Sequence, residues 1–137
     1  MDEEASLLRF GLTPAGADLD AVRAVLREQG ELDPYYQDVA LMKLGCVQLF
    51  NAGRVEDSLV VWAAKESGFD AHCSIDVQLL CGAGLEATKA YLAADGSQEA
   101  ADALRYLGEC EATGDFTGFT PEGITRQWQR YYRGEAI

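Results

Sequence analysis

Apolar residues recur along this chain at three- and four-residue intervals, and no segment carries a convincing two-residue alternation. The pattern predicts helices and no strand. In 18–30, Leu19, Val22, Val25 and Leu26 make one stripe, with Asp18 or Asp20 as cap and Gly30 as stop. In 33–53, Asp33 is the expected cap, Pro34 takes the first helical position and Gly53 ends the helix. Val39, Met42, Cys46, Leu49 and Phe50 form one face of it, and Ala40, Leu41, Leu44 and Val47 a second. A helix apolar on two sides belongs at the centre of a fold. A third helix runs over 54–68 on Val55, Leu59, Trp62 and Ala63. A fourth runs over 69–84, capped by Asp70, with Cys73, Val77, Leu80 and Cys81 on one stripe and Ile75 and Leu79 on another.

Three more follow. Leu85, Thr88 and Leu92 face inward in 84–96; Leu104, Leu107 and Gly108 do so in 97–114, behind a Ser97 cap. After a loop at 114–120, Thr120 caps a last helix with Pro121 at its first position and a stripe of Ile124, Trp128, Tyr131 and Tyr132. Links such as "GELD", "GF", "GAG" and "DGS" are short, which forces neighbouring helices to return as hairpins. The expected fold is all-α: six to seven antiparallel helices stacked as helical hairpins, a short solenoid-like single domain over 1–137, with 1–16 partly irregular.

Leu49, Gly53, Ser58 and Trp62 carry a likeness: an apolar residue, a glycine four later, a small residue five later, an aromatic four later. Residues 39–68 thereby resemble one tetratricopeptide hairpin, in a stack of the tetratricopeptide or HEAT kind. The tryptophan and late proline of that family are missing, and 85–113 does not keep the spacing. The stretches "DSLVVWAAK", "IDVQLLCGAGLEATKAYL" and "GDFTGFTP" resemble a group of small bacterial all-helical proteins of uncharacterised activity. That resemblance implies a helical fold and no chemistry.

Charge changes the picture most. The chain holds 23 acids against 11 bases, a formal net charge of −12. Such a body repels nucleic acid and anionic membranes and attracts cationic partners. The longest apolar run, "LVVWAA", falls far short of the ~20 residues of a membrane helix. The acidic start "MDEEASLLRFG" has no basic n-region, so no signal peptide is expected and the expected compartment is the cytoplasm. There Cys46, Cys73, Cys81 and Cys110 are expected as thiols, and their irregular spacing gives no support for a metal site or cofactor.

The stretch "FDAHCSIDVQLLCGAG" concentrates the reactive letters, including the only histidine. His72 and Cys73 are neighbours, so on a helix they point about 100° apart and cannot share an activating hydrogen bond. His72 and Asp76, at i and i+4, are the better pair on a continuous helix. The glycines of "CGAG" suggest an anion cradle only if a strand precedes them, and none does; they read as a tight link. The expected function is a non-catalytic acidic module that binds a basic protein partner, as an adaptor or a toxin's immunity protein does, existing as a monomer or weak homodimer. Its expected contacts are Asp38, Glu56, Asp57, Glu66, His72, Asp76, Glu99, Asp102, Glu109 and Glu111. The alternative is a small enzyme, or a ligand- or metal-responsive protein, working through His72, Asp76 and the nearby cysteines.

Overall fold

A computed structural model of the chain describes residues 1–134. Eight α-helices and three short 3₁₀ turns account for its regular structure, and no strand occurs among the described residues. The helices are α1 (Glu3–Phe10), α2 (Ala17–Glu31), α3 (Val39–Ala52), α4 (Ser58–Lys65), α5 (Phe69–Ser74), α6 (Leu85–Asp95), α7 (Gln98–Ala112) and α8 (Pro121–Tyr132). They pack as one stack, the all-helical architecture that the periodicity implies.

Helix α3 is the axis of the stack. It is buried without a break from Leu44 to Phe50 and packs against α1, α2, α4, α5 and α8. Its two apolar faces require such enclosure, since each fully buried Leu or Phe contributes about 1.5–3 kcal/mol. Consecutive helices α2–α3 and α6–α7 form the two largest pairings. Helix α2 also lies on α4, and α3 and α4 touch each other less than each touches α2. The tetratricopeptide-like residues thus sit around a turn: Leu49, Ser58 and Trp62 are buried, and Gly53 ends α3 in the left-handed conformation at φ 72°.

Several local expectations need correction. The N-terminal segment holds a helix that the sequence reading did not include: Asp2 accepts from the Ala5 amide and starts α1, whose Phe10 and Ser6 are buried, and 11–16 stays non-helical. Helix α2 begins at Gly16 with no side-chain cap, so neither Asp18 nor Asp20 serves that role. Asp33 caps only a 3₁₀ turn at Pro34–Tyr36; Gln37 is extended, and Asp38 starts α3 by accepting from Leu41 N at 3.1 Å. The 69–84 segment is not one helix. It is α5 followed by an extended Ile75 and a 3₁₀ turn at Val77–Leu80. The buried face of α7 is Ala100, Ala103, Leu107 and Cys110, with Gly108 exposed. Small alanines on that face let α7 approach its neighbours closely.

One ion pair crosses the fold. Arg23 of α2 grips Asp57 with two parallel hydrogen bonds, Nε–Oδ1 at 2.7 Å and Nη2–Oδ2 at 2.9 Å, and reaches Asp20 with Nη1 at 2.8 Å. The Asp57 hydrogen bond raises the guanidinium pKa, and Asp57 is buried. This bidentate clamp fixes α2 to the start of α4.

Gly82 and Gly108 test the packing in opposite directions. A Cβ on Gly82 would stand 2.5 Å from the Phe50 carbonyl oxygen, whereas one on Gly108 meets nothing within 4 Å. Gly82→Ala is expected to cost about 1–3 kcal/mol through forced backbone movement. Gly108→Ala, in an exposed helical position, is expected to add about 0.5–1 kcal/mol. Urea denaturation of the two variants beside the parent checks both signs.

Candidate functional site

Lys65, the last residue of α4, is only 3% exposed. Its ammonium donates to the backbone carbonyls of His72 at 2.6 Å and Ile75 at 2.5 Å. It also lies 5.7 Å from the centre of the Tyr106 ring. Burial lowers its pKa, and the charges of Asp76 and Glu66 work against that shift. The two carbonyls are those left open at the end of α5. Lys65 therefore terminates α5, and Ile75 turns fully into the core.

This termination decides what His72 meets. The continuous helix expected through 69–84 would set His72 above Asp76. With the chain extended at Ile75 and Asp76, that pairing is lost. The imidazole Nδ1 instead lies 2.9 Å from Oε1 of Glu66, the residue that closes α4. Nε2 faces the Tyr106 hydroxyl at 3.5 Å. The imidazole thus bridges a carboxylate and a phenol. Tyr106 lies between His72, edge to face with centroids 5.5 Å apart, and Trp62, tilted at 5.6 Å. Burial pushes its pKa up to about 12, with a hydrogen bond to Cys110 adding to the rise. It is a proton donor at neutral pH.

Two adjoining cavities share His72 and Tyr106. One, of about 380 Å³, is bordered by Lys65, Cys73, Asp76, Gln78 and Asp115. The other, of about 320 Å³, is bordered by Trp62, Glu66, Asp102, Arg105 and Glu109. Five carboxylates from α4, α7 and the two connecting segments thus surround a single aromatic wall. A third cavity of about 360 Å³ between α2 and α4 is mainly aliphatic, lined by Leu26, Leu59, Val60 and Ala63 with Arg27 and Glu31 among its borders.

The expected contact residues separate into three groups. Glu66, His72, Asp76, Asp102 and Glu109 come together around the wall. Asp57 does not belong with them: it is buried against Arg23, so the expectation of an exposed acid is corrected. Asp38 is half-buried and occupied as the cap of α3. Glu56 faces Arg54 at 3.5 Å, and Glu111 binds Lys89 at 3.0 Å, so each has an intramolecular cation. Glu99 is exposed in the first turn of α7. Sequence reasoning missed Lys65, Tyr106 and Asp115. A lysine closing an otherwise apolar helix, "LVVWAAK", was the one available signal.

The thiols divide the same way. All four cysteines are free; Cys73 is exposed and the other three are buried. The stripe assigned to Cys73 is thereby corrected, because α5 stops one residue later. Burial pushes Cys46 and Cys81 up to about 12 and also raises Cys110. No group of three metal-ligating side chains occurs among the described residues. None of their helices is long and apolar enough to cross a membrane. Gly82 and Gly84 act as the link read from the sequence: Gly82 closes on Phe50, and Gly84 takes φ 99° ahead of α6.

Two outcomes follow from this geometry. Lys65→Met leaves the His72 and Ile75 carbonyls without their donor, at a cost of about 1–3 kcal/mol each if both stay dry. The expected result is a marked fall in the urea midpoint and loss of the Glu66–His72 contact, seen as a changed His72 ring chemical shift by NMR. Iodoacetamide at pH 8 is expected to modify one thiol per folded chain, Cys73, and all four after unfolding; peptide mass spectrometry reads the sites. No family model, no curated protein and no solved structure matches this chain, so the resemblances rest on the quoted residues alone.

Proposed function

We propose that this protein is a non-catalytic binding module for a basic protein partner, and that the wall of His72, Tyr106 and Trp62 with its carboxylates is where a cationic side chain enters. The work of such a module is that of an adaptor or of an immunity protein that neutralises a toxin. The observation that carries the reading is convergence: Glu66, Asp76, Asp102, Glu109 and Asp115 come from separate elements to two cavities that share one wall. Among the residues that border the two cavities, the lysine and arginine that offset them are Lys65 and Arg105. Like charges so gathered repel one another, and a lysine or arginine from a partner relieves that repulsion. Aromatic faces add attraction for a cation within about 6 Å of a ring centre.

The alternative, an enzyme working through His72, Asp76 and the nearby cysteines, is the weaker reading for three reasons. Tyr106 keeps its proton, Cys110 is buried with its pKa raised, and no hydrogen bond joins His72 to Cys73. The imidazole is held between a carboxylate and a phenol, an arrangement that presents a rigid polar surface.

The test uses a ten-residue lysine peptide at low ionic strength. Neutralising Glu66, Asp76, Asp102 and Glu109 together (E66Q, D76N, D102N, E109Q) is compared with neutralising Glu4, Asp18, Glu28 and Glu122. All four of the second set are exposed and none borders the wall. At about 0.5 kcal/mol per exposed contact, the first set is expected to weaken binding on the order of thirtyfold. The second set changes net charge equally and is expected to weaken it less than about threefold. Equal losses by fluorescence anisotropy would mean diffuse attraction and would remove the cleft from the reading.

A further inference from the structure

Three aromatic rings stand in solvent at one end of the stack. Tyr35 is 86% exposed, Tyr36 72% and Phe69 79%. Tyr35 and Tyr36 are neighbours, and Phe69, distant in sequence, follows a glycine that packs against their turn. The turn that carries the tyrosines packs directly on Gly68: a Cβ there would stand 3.1 Å from Pro34 Cβ and 3.0 Å from Gln37 Oε1. Tyr35 and Tyr36 meet edge to face with centroids 5.2 Å apart. Leu32, also exposed, adjoins them.

This shelf is rigidly built although its rings are free. Asp33 accepts from Tyr35 N at 2.9 Å, and Tyr36 N donates to the Asp33 carbonyl at 2.8 Å. The Gln37 amide donates to Gln29 O at 3.2 Å and Ser67 Oγ at 3.0 Å. Asp38 N donates to the Gln29 side chain at 2.7 Å. Three side chains, Gln29, Gln37 and Ser67, thus tie the turn to α2 and to the α4–α5 link. Rings fixed in this way lose little conformational freedom when a partner covers them. Exposed Glu31, Asp33 and Asp70 flank the shelf.

We propose that the Tyr35–Tyr36–Phe69 shelf is the contact surface for arginine side chains of a basic protein partner. This inference rests on the acidic-module reading and adds the partner's chemistry. A guanidinium lies flat on an aromatic face and bonds neighbouring carboxylates in the same plane, which an ammonium cannot do. The shelf and the acidic wall are joined by α5: Phe69 opens that helix and His72 lies one turn later. A segment laid along α5 reaches both. Charge complementarity chooses the occupant. A second copy of this chain would bring another net charge of −12 onto an acid-rimmed surface, and a nucleic acid would bring phosphates.

The test pairs ten-residue arginine and lysine peptides with the full chain and a charge-neutral variant, Y35S/Y36S/F69S. The parent is expected to bind the arginine peptide about tenfold more tightly, as two engaged rings at exposed sites allow. The triple variant is expected to lose that preference while its affinity for the lysine peptide stays within about twofold. Y35F/Y36F keeps the rings and is expected to keep the preference. An arginine preference unchanged in the triple variant overturns the proposal and leaves the acidic cleft standing. A preference that vanishes in the triple variant, while the cleft set of four has no effect on either peptide, supports the shelf and sinks the cleft. Absence of binding to either peptide sinks both. A parent dimer that dissociates in the triple variant, seen by sedimentation, also overturns the proposal, because the rings would then be covered by a second copy.

Discussion

The buried ammonium of Lys65 is the constraint on which the polar half of this molecule depends. Taking an ammonium out of water is costly unless hydrogen bonds replace the hydration shell. Two carbonyls of α5 do so, and the ring of Tyr106 and the fields of Asp76 and Glu66 assist. The same two bonds end α5. Without that ending, Ile75 would continue the helix and stay out of the core, and His72 would project beside Asp76. With it, the end of α4 and the end of α5 are locked together, and Glu66, His72 and Tyr106 fall into line. One charge placed inside the fold therefore fixes both a helix boundary and the composition of a surface cleft.

Net charge alone overstates how much acidity a partner can meet. Asp2, Asp33 and Asp38 accept from backbone amides at the starts of helical segments. Asp57 is buried with Arg23, while Glu86 and Glu111 share Lys89. These acids serve the fold. Around the His72–Tyr106 wall the roles are mixed: Asp76 and Glu66 favour the Lys65 charge and Asp102 meets Arg105 at 3.3 Å, while the gathered carboxylates repel one another. The total of −12 therefore counts two kinds of acid, those engaged inside the fold and those that face solvent.

What could be read from the sequence was local. The stripe Leu19–Val22–Leu26, the Gly53 stop, and the caps Ser97 and Thr120 with Pro121 all depend on residues within a turn or two of each other, and each appears in the structure. The two-faced pattern of 39–50 also placed α3 at the centre. What escaped depends on distant groups. The break at Ile75 follows from Lys65, ten residues earlier, whose need for carbonyls no periodicity reveals. The burial of Asp57 follows from Arg23, which lies on what reads as the polar side of α2. The inward face of α7 is set by which side chains are small enough for close approach, so Ala100 and Ala103 displaced the larger Leu104 from the seam. The single histidine faces Glu66 rather than the expected Asp76, because the helix that would align it with Asp76 ends at Ser74.

Helix α5 is six residues long, too short to be stable by itself. Its existence is therefore evidence of what holds it at each end. At its start, Gly68 packs against Pro34 and Gln37, which fixes the aromatic turn; at its end, Lys65 takes its carbonyls, which fixes the acidic wall. A segment so pinned transmits position: a change that loosens one end frees the other. The aromatic shelf and the charged cleft are consequently not independent patches that happen to be near each other. Their separation is set by one turn of helix, from Phe69 to His72.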